Sequence, residues 1–184
     1  MTESKKKPES PARLTLVLLT ITLVTSLLLG LTDYITRDRI REINIGKTAD
    51  AMREVLPADE YAPAEYTGSD SLVTGVYRAF SGGKAGGYVV EVAPGGFGGA
   101  INMVVGVDLN GSVTGVSITG MTETSGLGTG ANDAGFRAQY IGGNGGFAVN
   151  KDGGGIDALT GATITSRAVT NGVNAAVRAA ESLD

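Results

Sequence analysis

The pattern of apolar residues divides the chain into one long apolar segment near its start and many short ones later. Residues 14–31 contain no charged side chain and are rich in Leu, Val, Ile and Thr. As a helix this segment is about 27 Å long, close to the roughly 30 Å hydrocarbon core of a bilayer. Because Thr32 can extend it, the pattern predicts a transmembrane helix over residues 14–32, preceded by a polar tail at residues 1–13.

A cleaved signal peptide is the alternative interpretation of this segment. Its apolar run is usually shorter and ends in small residues, whereas residues 27–31 are mostly leucine and lead into Thr32, Asp33 and Tyr34. That is a poor cleavage site, and the absence of cysteine excludes a lipoprotein anchor. The sequence therefore favours an uncleaved single-pass anchor. Basic residues lie on both sides of the anchor, and their distribution favours a cytoplasmic N-terminus only slightly.

A helical pattern follows the anchor, with apolar positions between Ile35 and Val55 on or near one face. Pro57 ends this pattern. We predict a helical stalk over residues 33–57 that raises the following domain above the membrane. A basic amphipathic helix that lies on the lipid surface is the alternative.

The composition changes after Thr67, because all but two of the 29 glycines lie beyond it. Four segments there have the length and composition of β-strands. These predicted strands are residues 73–80, 88–93, 100–107 and 113–119. Asn110-Gly111 predicts a hairpin with a type I′ turn between the last two. A low-complexity linker is the alternative, but the interleaved apolar residues argue against it; a glycine-rich sheet whose backbone lies against a flat ligand fits better.

The end of the chain predicts a helix that buries one face. Its apolar stripe comprises Val169, Val173, Ala176, Val177, Ala180 and Leu183. Thr165 or Ser166 is the predicted N-cap. The predicted fold class is α+β: a single N-terminal transmembrane helix, then a glycine-rich, mainly antiparallel sheet domain with flanking helices over residues 58–184.

Composition narrows the chemistry of that domain. Cysteine and histidine are both absent, which excludes disulfides, iron–sulfur clusters, thiolate metal sites and Ser–His or Cys–His catalytic sites. We predict neither a catalytic residue nor a metal site. The net charge of −4 and the lack of a basic aromatic surface argue against nucleic-acid binding. Redox chemistry would require a bound organic cofactor.

A first motif precedes the C-terminal helix and reads Asp157-Ala158-Leu159-Thr160-Gly161-Ala162-Thr163-Ile164-Thr165-Ser166. Gly161 permits a sharp turn or a close approach to a ligand. Thr163 would lie at a helix N-terminus, where free N–H groups favour a phosphate. The residues thus predict an anion site with a hydroxyl at its centre; an ordinary capped helix start is the alternative. Lys151 could neutralise a phosphate, or be a solvated loop lysine.

A second motif follows the fourth predicted strand and reads Met121-Thr122-Glu123-Thr124-Ser125-Gly126-Leu127-Gly128. Its glycines permit close backbone approach, and its threonines offer hydroxyl groups. Leu127 could pack on an aromatic ring, and Glu123 could bond to polar ring atoms or to a neighbouring backbone turn. A plain loop between two elements is the alternative.

The two motifs together resemble those of the FMN-binding domains in the Rnf and Na⁺-translocating NADH:quinone reductase complexes. Asp-x-x-Thr-Gly-Ala-Thr is similar to the flavinylation motif, in which the last threonine carries FMN through a phosphoester bond. The residues from Glu123 to Gly128 resemble the Glu-Thr-Pro-Gly-Leu-Gly loop beside the flavin. Ser125 replaces the proline of that loop, and Met121 stands where many members carry histidine.

The resemblance implies one covalent FMN per chain, attached at Thr163 and installed by a separate flavin transferase. The cofactor-binding residues that it implies are Thr163, Asp157, Thr160, Gly161, Ala162, Thr165, Glu123, Thr124, Ser125, Gly126, Leu127 and Gly128.

The arrangement of anchor, domain and motif resembles most the G subunit of the Rnf complex. That resemblance implies an electron relay within an ion-translocating ferredoxin:NAD⁺ oxidoreductase of the bacterial cytoplasmic membrane. The other subunits of the complex would be its partners, and the flavin domain would lie outside the cytoplasm. The C subunit of the Na⁺-translocating quinone reductase, a membrane-anchored non-redox binding or scaffold protein, and a free-standing flavin reductase are the alternatives.

Overall fold

The computed structural model describes residues 11–183 and divides into two compact units, the first ending at Ile45 and the second beginning at Gly46. Helix α1 spans Pro11–Val55. Within the first unit its large apolar side chains are exposed. By length and composition it is the one helix of the described residues that could cross a membrane.

The threonines of this apolar segment bond to the helix itself. Thr20 Oγ1 donates to the carbonyl of Leu16 at 2.9 Å, and Thr32 Oγ1 donates to that of Leu28 at 2.8 Å. A hydroxyl that bonds the preceding turn needs no water, so these residues suit a hydrocarbon environment.

The second unit is built on a five-stranded sheet in which every neighbouring pair of strands is antiparallel. Its strands, in both chain and sheet order, are β1 Glu60–Pro63, β2 Val73–Ser81, β3 Lys84–Val92, β4 Asn102–Asp108 and β5 Val113–Gly120. The short helix α2 spans Ala134–Ala138, and α3 spans Thr163–Glu181. The predicted α+β fold class is therefore confirmed.

All four predicted strands are present, but the sequence reasoning missed β1. This strand has only four residues and ends at Pro63. It lies at the edge of the sheet, where a proline costs no internal ladder hydrogen bond.

Helix α3 covers one face of the sheet. Its predicted stripe, from Val169 to Ala180, is buried in a cluster with Val90, Met103 and Val105. Neighbouring strand residues point to opposite faces, so Val89 and Val104 lie on the other side of the sheet.

The last turns of α1 cover this second face. Met52 and Val55 pack there with Val89 and Val104. Thr114 Oγ1 donates to the carbonyl of Val55 at 2.6 Å, which satisfies one of the carbonyl groups left free at the helix end. Residues 46–55, the last part of the predicted stalk, therefore pack within the sheet domain.

Two strand glycines, Gly106 and Gly115, lie directly against the end of α1. The prediction that the glycine-rich sheet lies against a flat ligand is therefore wrong at these two positions. A Cβ on Gly115 would lie 2.8 Å from Val55 Cα, and one on Gly106 would lie 2.6 Å from Val55 O. The backbones of helix and sheet approach each other too closely for any side chain.

The β4–β5 hairpin forms where it was predicted, but its turn is not type I′. That turn requires a positive φ at both central residues, whereas among the described residues only glycines have one, and Gly111 has a φ of 79°. Asp108 explains the difference, because its carboxylate accepts from the N–H groups of Asn110 and Ser112 at 2.8 and 2.9 Å.

Candidate functional site

Helix α3 begins at Thr163, with Ala162 as the residue before it. The predicted N-cap at Thr165 or Ser166 is therefore wrong, and both residues lie inside the first turn. Their hydroxyl groups are engaged elsewhere: Ser166 Oγ accepts from the N–H of Leu159 at 2.9 Å and donates to the carbonyl of Ala162 at 3.0 Å. These bonds hold the preceding turn against the helix, so the first turn presents its free N–H groups together with the Thr163 hydroxyl.

Gly161 makes the turn into the helix possible. Its φ of 76° lies in the left-handed region, and a Cβ there would come within 3.1 Å of Leu127. The two sequence motifs, far apart in the chain, therefore meet at this glycine.

Glu123 joins three segments of the site. Its carboxylate is buried, with only 8% of the residue exposed. Oε1 accepts from the N–H of Gly98 at 3.0 Å, and Oε2 accepts from Thr165 Oγ1 at 2.7 Å. Glu123 thus makes the predicted bond to a neighbouring backbone turn. The carboxylate fixes the β3–β4 loop and the second motif to the first turn of α3.

These segments enclose a cavity of about 350 Å³, within the roughly 300–1,000 Å³ typical of small-ligand sites. Its lining is formed by Phe97, Glu123, Thr124, Leu127, Gly128, Gly161, Ala162, Thr163, Ile164 and Thr165. Phe97, Leu127 and Ile164 are each between 46% and 68% exposed. Exposed apolar side chains at a cavity that also contains hydroxyl groups are typical of a binding site; these three residues are called the apolar rim.

A charged group lies beside the Thr163 hydroxyl. Lys151 Nζ donates to Thr163 Oγ1 at 3.0 Å. The lysine belongs to a short 3₁₀ helix, Asn150–Asp152, that precedes the first motif. The Thr163 hydroxyl thus lies between a helix N-terminus and an ammonium group, and both favour an anion.

The structure brings eight of the twelve predicted cofactor-binding residues to the cavity and leaves four outside its lining. Asp157, Thr160, Ser125 and Gly126 are exposed and do not line it. Asp157 Oδ1 instead accepts from Asn150 Nδ2 at 3.1 Å. Gly126 donates its N–H to Thr129 Oγ1 at 3.0 Å, which shapes the loop of the second motif.

Sequence reasoning missed Phe97 and Ile164. Ile164 lies within the first motif, next to Thr163. Phe97 lies between two glycine pairs in the β3–β4 loop, and an isolated aromatic residue in so glycine-rich a loop could have indicated a ligand contact.

A larger cavity, of about 430 Å³, lies between the end of α1 and strand β5. Lys47, Asp50 and Glu54 line it together with polar residues of β5. It contains no residue of the first motif, and only Met121 of the second. Its walls carry mixed charges without a focal group, so the smaller cavity is the better candidate site. No cluster of metal-binding side chains occurs among residues 11–183.

Comparison with known proteins places the chain among flavin-binding subunits of membrane complexes. Residues 96–178 match the FMN-binding domain family, and this range includes both motifs. The chain is 34% identical to the G subunit of the Na⁺-translocating ferredoxin:NAD⁺ oxidoreductase complex of Acetobacterium woodii, over 93% of this chain and 92% of that protein. It is 36% identical to the G subunit of the ion-translocating oxidoreductase complex of Salmonella typhimurium, over 84% of each chain.

A solved structure shows the same fold. The C subunit of the Na⁺-translocating NADH-quinone reductase from Parabacteroides distasonis superposes with a TM-score of 0.52 and 19% identity, over 71% of this chain and 78% of that one. The relatives that share sequence over almost the whole chain, however, are G subunits. The chain therefore belongs to the family of G subunits of the Rnf ion-translocating oxidoreductase complexes, as its arrangement of anchor, domain and motif predicted.

Proposed function

We propose that this chain is an electron-transfer subunit that holds one FMN by a phosphoester bond to Thr163, within an ion-translocating ferredoxin:NAD⁺ oxidoreductase of the bacterial cytoplasmic membrane. The observation that carries the proposal is the cavity that Thr163 lines together with exposed apolar side chains, at a helix N-terminus and beside Lys151. The proposal includes a cytoplasmic N-terminus, a single membrane span at residues 14–32 and an extracytoplasmic flavin domain.

The surroundings of the Thr163 hydroxyl fit the phosphate of FMN. The first N–H groups of α3 have no intrahelical acceptor, and the partial positive charge of a helix N-terminus favours a phosphate. Lys151 adds a full positive charge 3.0 Å from the Thr163 oxygen. A phosphoester at this oxygen would therefore lie beside a helix N-terminus and an ammonium group. Glu123, the carboxylate that also lines the cavity, already accepts from Gly98 and Thr165.

The apolar rim fits a flat aromatic ring. Phe97, Leu127 and Ile164 come from three different segments, and all three are exposed at the cavity. Covering them with an aromatic ring would remove apolar surface from water. The bound flavin would supply the electron chemistry that this chain lacks, since it has neither cysteine nor histidine.

The protein's own residues position the cofactor and shield it. Glu123 ties the β3–β4 loop, which carries Phe97, to the first turn of α3, which carries Ile164. The buried face of α3 anchors Thr163 to the sheet. We propose that the remaining subunits of the complex deliver and remove the electrons, and that a separate flavin transferase installs the FMN.

Intact-mass measurement on protein purified from its native membrane tests the attachment. The wild-type chain should be heavier by one FMN less one water, and Thr163→Ala should have the mass of the bare polypeptide. Thr124→Ala is the matched control, because it removes another hydroxyl group from the same cavity. It should keep the added mass of FMN. FMN retained on a folded Thr163→Ala variant would refute attachment at this residue.

Membranes from a strain lacking the native chain test the electron relay. Complementation with the wild type should restore NAD⁺ reduction by reduced ferredoxin, whereas Thr163→Ala should leave this rate close to background. Equal rates of NAD⁺ reduction with the wild type and with Thr163→Ala would show that the flavin of this subunit does not take part in the electron transfer.

A further inference from the structure

Lys151 is held against Thr163 without a carboxylate partner in the described part of the chain. Its ammonium group donates to Thr163 Oγ1 at 3.0 Å. The nearest acidic residues in the sequence are engaged with other groups. Asp152 accepts from Arg167 at 2.7 and 2.5 Å, and Asp157 accepts from Asn150 at 3.1 Å. The charge of Lys151 is therefore directed at the threonine oxygen and is not neutralised by an adjacent carboxylate.

The turn that carries Lys151 is fixed on both sides. The pair between Asp152 and Arg167 ties it to the second turn of α3. The bond from Asn150 to Asp157 ties it to the start of the first motif, and the N–H of Asn150 donates to the carbonyl of Ile156 at 2.7 Å. A flexible lysine on a fixed turn loses less entropy in staying near the threonine than one on a mobile loop.

We propose that Lys151 is the residue that pairs with the phosphate at Thr163 and promotes its attachment, an inference that rests on the proposed function. In that reaction Thr163 Oγ attacks the flavin-side phosphorus of a flavin dinucleotide. One O–P bond forms, the pyrophosphate P–O bond breaks, and a nucleoside monophosphate leaves. The hydroxyl proton passes to a base of the transferase or to water, and no electrons are exchanged.

The ammonium group acts at two stages of this reaction. Before attack, its hydrogen bond orients the threonine oxygen and stabilises negative charge that develops on it. Afterwards, it pairs with the charge of the phosphodiester in a charge-assisted hydrogen bond. The same arrangement explains why Asp157 belongs to the motif although it does not line the cavity: it positions the lysine-bearing turn through Asn150.

The experiment measures attachment rather than electron transfer. Full-length chain in detergent is incubated with purified flavin transferase, Mg²⁺ and FAD, and the flavin-labelled fraction is followed by in-gel fluorescence and intact mass. Lys151→Gln should lower the initial rate by about tenfold, the scale expected for losing one charge-assisted hydrogen bond. Lys151→Arg should recover most of the rate, because it restores the charge. Lys84→Gln, which removes an exposed lysine of strand β3, should match the wild type.

The outcomes separate this inference from the proposed function. If the wild type accepts flavin on Thr163 and Lys151→Gln does so equally fast, the role of Lys151 is refuted while the proposed function stands. If the wild type accepts no flavin, the proposed function fails. A slow Lys151→Gln variant whose melting temperature is unchanged, and which Lys151→Arg rescues, supports the role in pairing with the phosphate. A slow Lys151→Arg variant would indicate a structural role instead and overturn the inference.

Discussion

Glu123 is the residue on which the geometry of the site depends. A buried carboxylate is costly unless its oxygens are hydrogen-bonded, and both oxygens of Glu123 have a donor. A Cβ on Gly96 would come within van der Waals overlap of this carboxylate, and one on Gly128 would lie 2.6 Å from Oε2. Because Gly96 and Gly128 have no side chain, they leave space for the Glu123 carboxylate to reach both the β3–β4 loop and α3.

Replacing Glu123 should loosen the site as well as destabilise the domain. In Glu123→Ala the N–H of Gly98 and the hydroxyl of Thr165 lose their acceptor. Thr165 is buried, and a buried donor without an acceptor costs about 1–3 kcal/mol. Glu123→Gln should cost less, because its amide oxygen still accepts one of the two bonds. Urea unfolding of the detergent-solubilised chain measures both differences.

The exposed Glu65 provides the control for this series. Glu65→Ala should unfold at the wild-type urea concentration. Equal stability of Glu123→Ala and Glu65→Ala would contradict the role of Glu123 as the link between the loop and α3.

At the scale of elements, the sheet is enclosed by a helix on each face, and the two helices pack differently. Helix α3 uses valine and alanine side chains against the strands. The end of α1 instead lies almost on the sheet backbone, over Gly106 and Gly115. Gly172 plays a comparable role in α3, since a Cβ there would meet Pro94 and Met103 at 2.9 and 3.1 Å.

Adding a methyl group beneath α1 should displace it. In Gly115→Ala the new Cβ would lie 2.8 Å from the backbone of Val55, which cannot move as a flexible side chain can. We expect a loss of about 1–3 kcal/mol in the free energy of unfolding, the usual cost of overpacking. Gly120→Ala is the control on the same strand, because its Cβ would meet only Asn102 at 3.5 Å. A Gly115→Ala variant as stable as Gly120→Ala would disprove the close packing.

The end of α1 should also respond to pH through Glu54. A hydrogen bond from Ser117, and to a lesser extent Arg137, holds the pKa of Glu54 below its usual range. Because the pKa of Glu54 is lower in the folded state, its ionised carboxylate stabilises the fold at pH values above its unfolded pKa of about 4.3. This stabilisation is lost as the pH falls through the folded pKa. Because half of the side chain is exposed, we expect at most about 1 kcal/mol.

Glu54→Gln measures this contribution. Its unfolding free energy should be lower than that of the wild type at pH 7 and should approach it below about pH 4. Glu65→Gln, at an exposed residue, is the control and should be as stable as the wild type at pH 7. A constant difference between Glu54→Gln and the wild type from pH 7 to pH 3 would exclude the ionised carboxylate as its source.

At the scale of the whole molecule, the chain combines a lipid-compatible helix with a domain that has the acidic, glycine-rich composition of a water-soluble fold. The apolar part of α1 satisfies its hydroxyl groups internally, whereas the domain buries its apolar residues on both sides of the sheet. Each part thus meets the requirements of a different solvent.

The absence of cysteine makes the membrane orientation directly measurable. In spheroplasts, a membrane-impermeant maleimide should label Ser69→Cys, in an exposed loop of the domain. It should label Ser4→Cys, in the N-terminal tail, only after the membrane is permeabilised. Labelling of Ser4→Cys but not Ser69→Cys in intact spheroplasts would reverse the proposed orientation.

The sequence alone determined the features that depend on neighbouring residues. The uncharged run at residues 14–31 sets a membrane-spanning length, alternation sets the four longer strands, and the apolar stripe of α3 sets its buried face. The paired motifs indicated the family and eight of the residues that line the cavity. All of these signals follow from local periodicity or from short contiguous patterns.

Only the tertiary structure decided which distant residues meet. Lys151 reaches Thr163 across 12 residues, Glu123 reaches Gly98 across 25, and Thr114 reaches Val55 across 59. No local pattern indicated that strand glycines lie against α1, or that Asp157 binds Asn150 instead of lining the cavity. Such contacts arise because packing the sheet between two helices fixes where the loops converge, and a side chain's partner is set by that convergence rather than by its sequence neighbours.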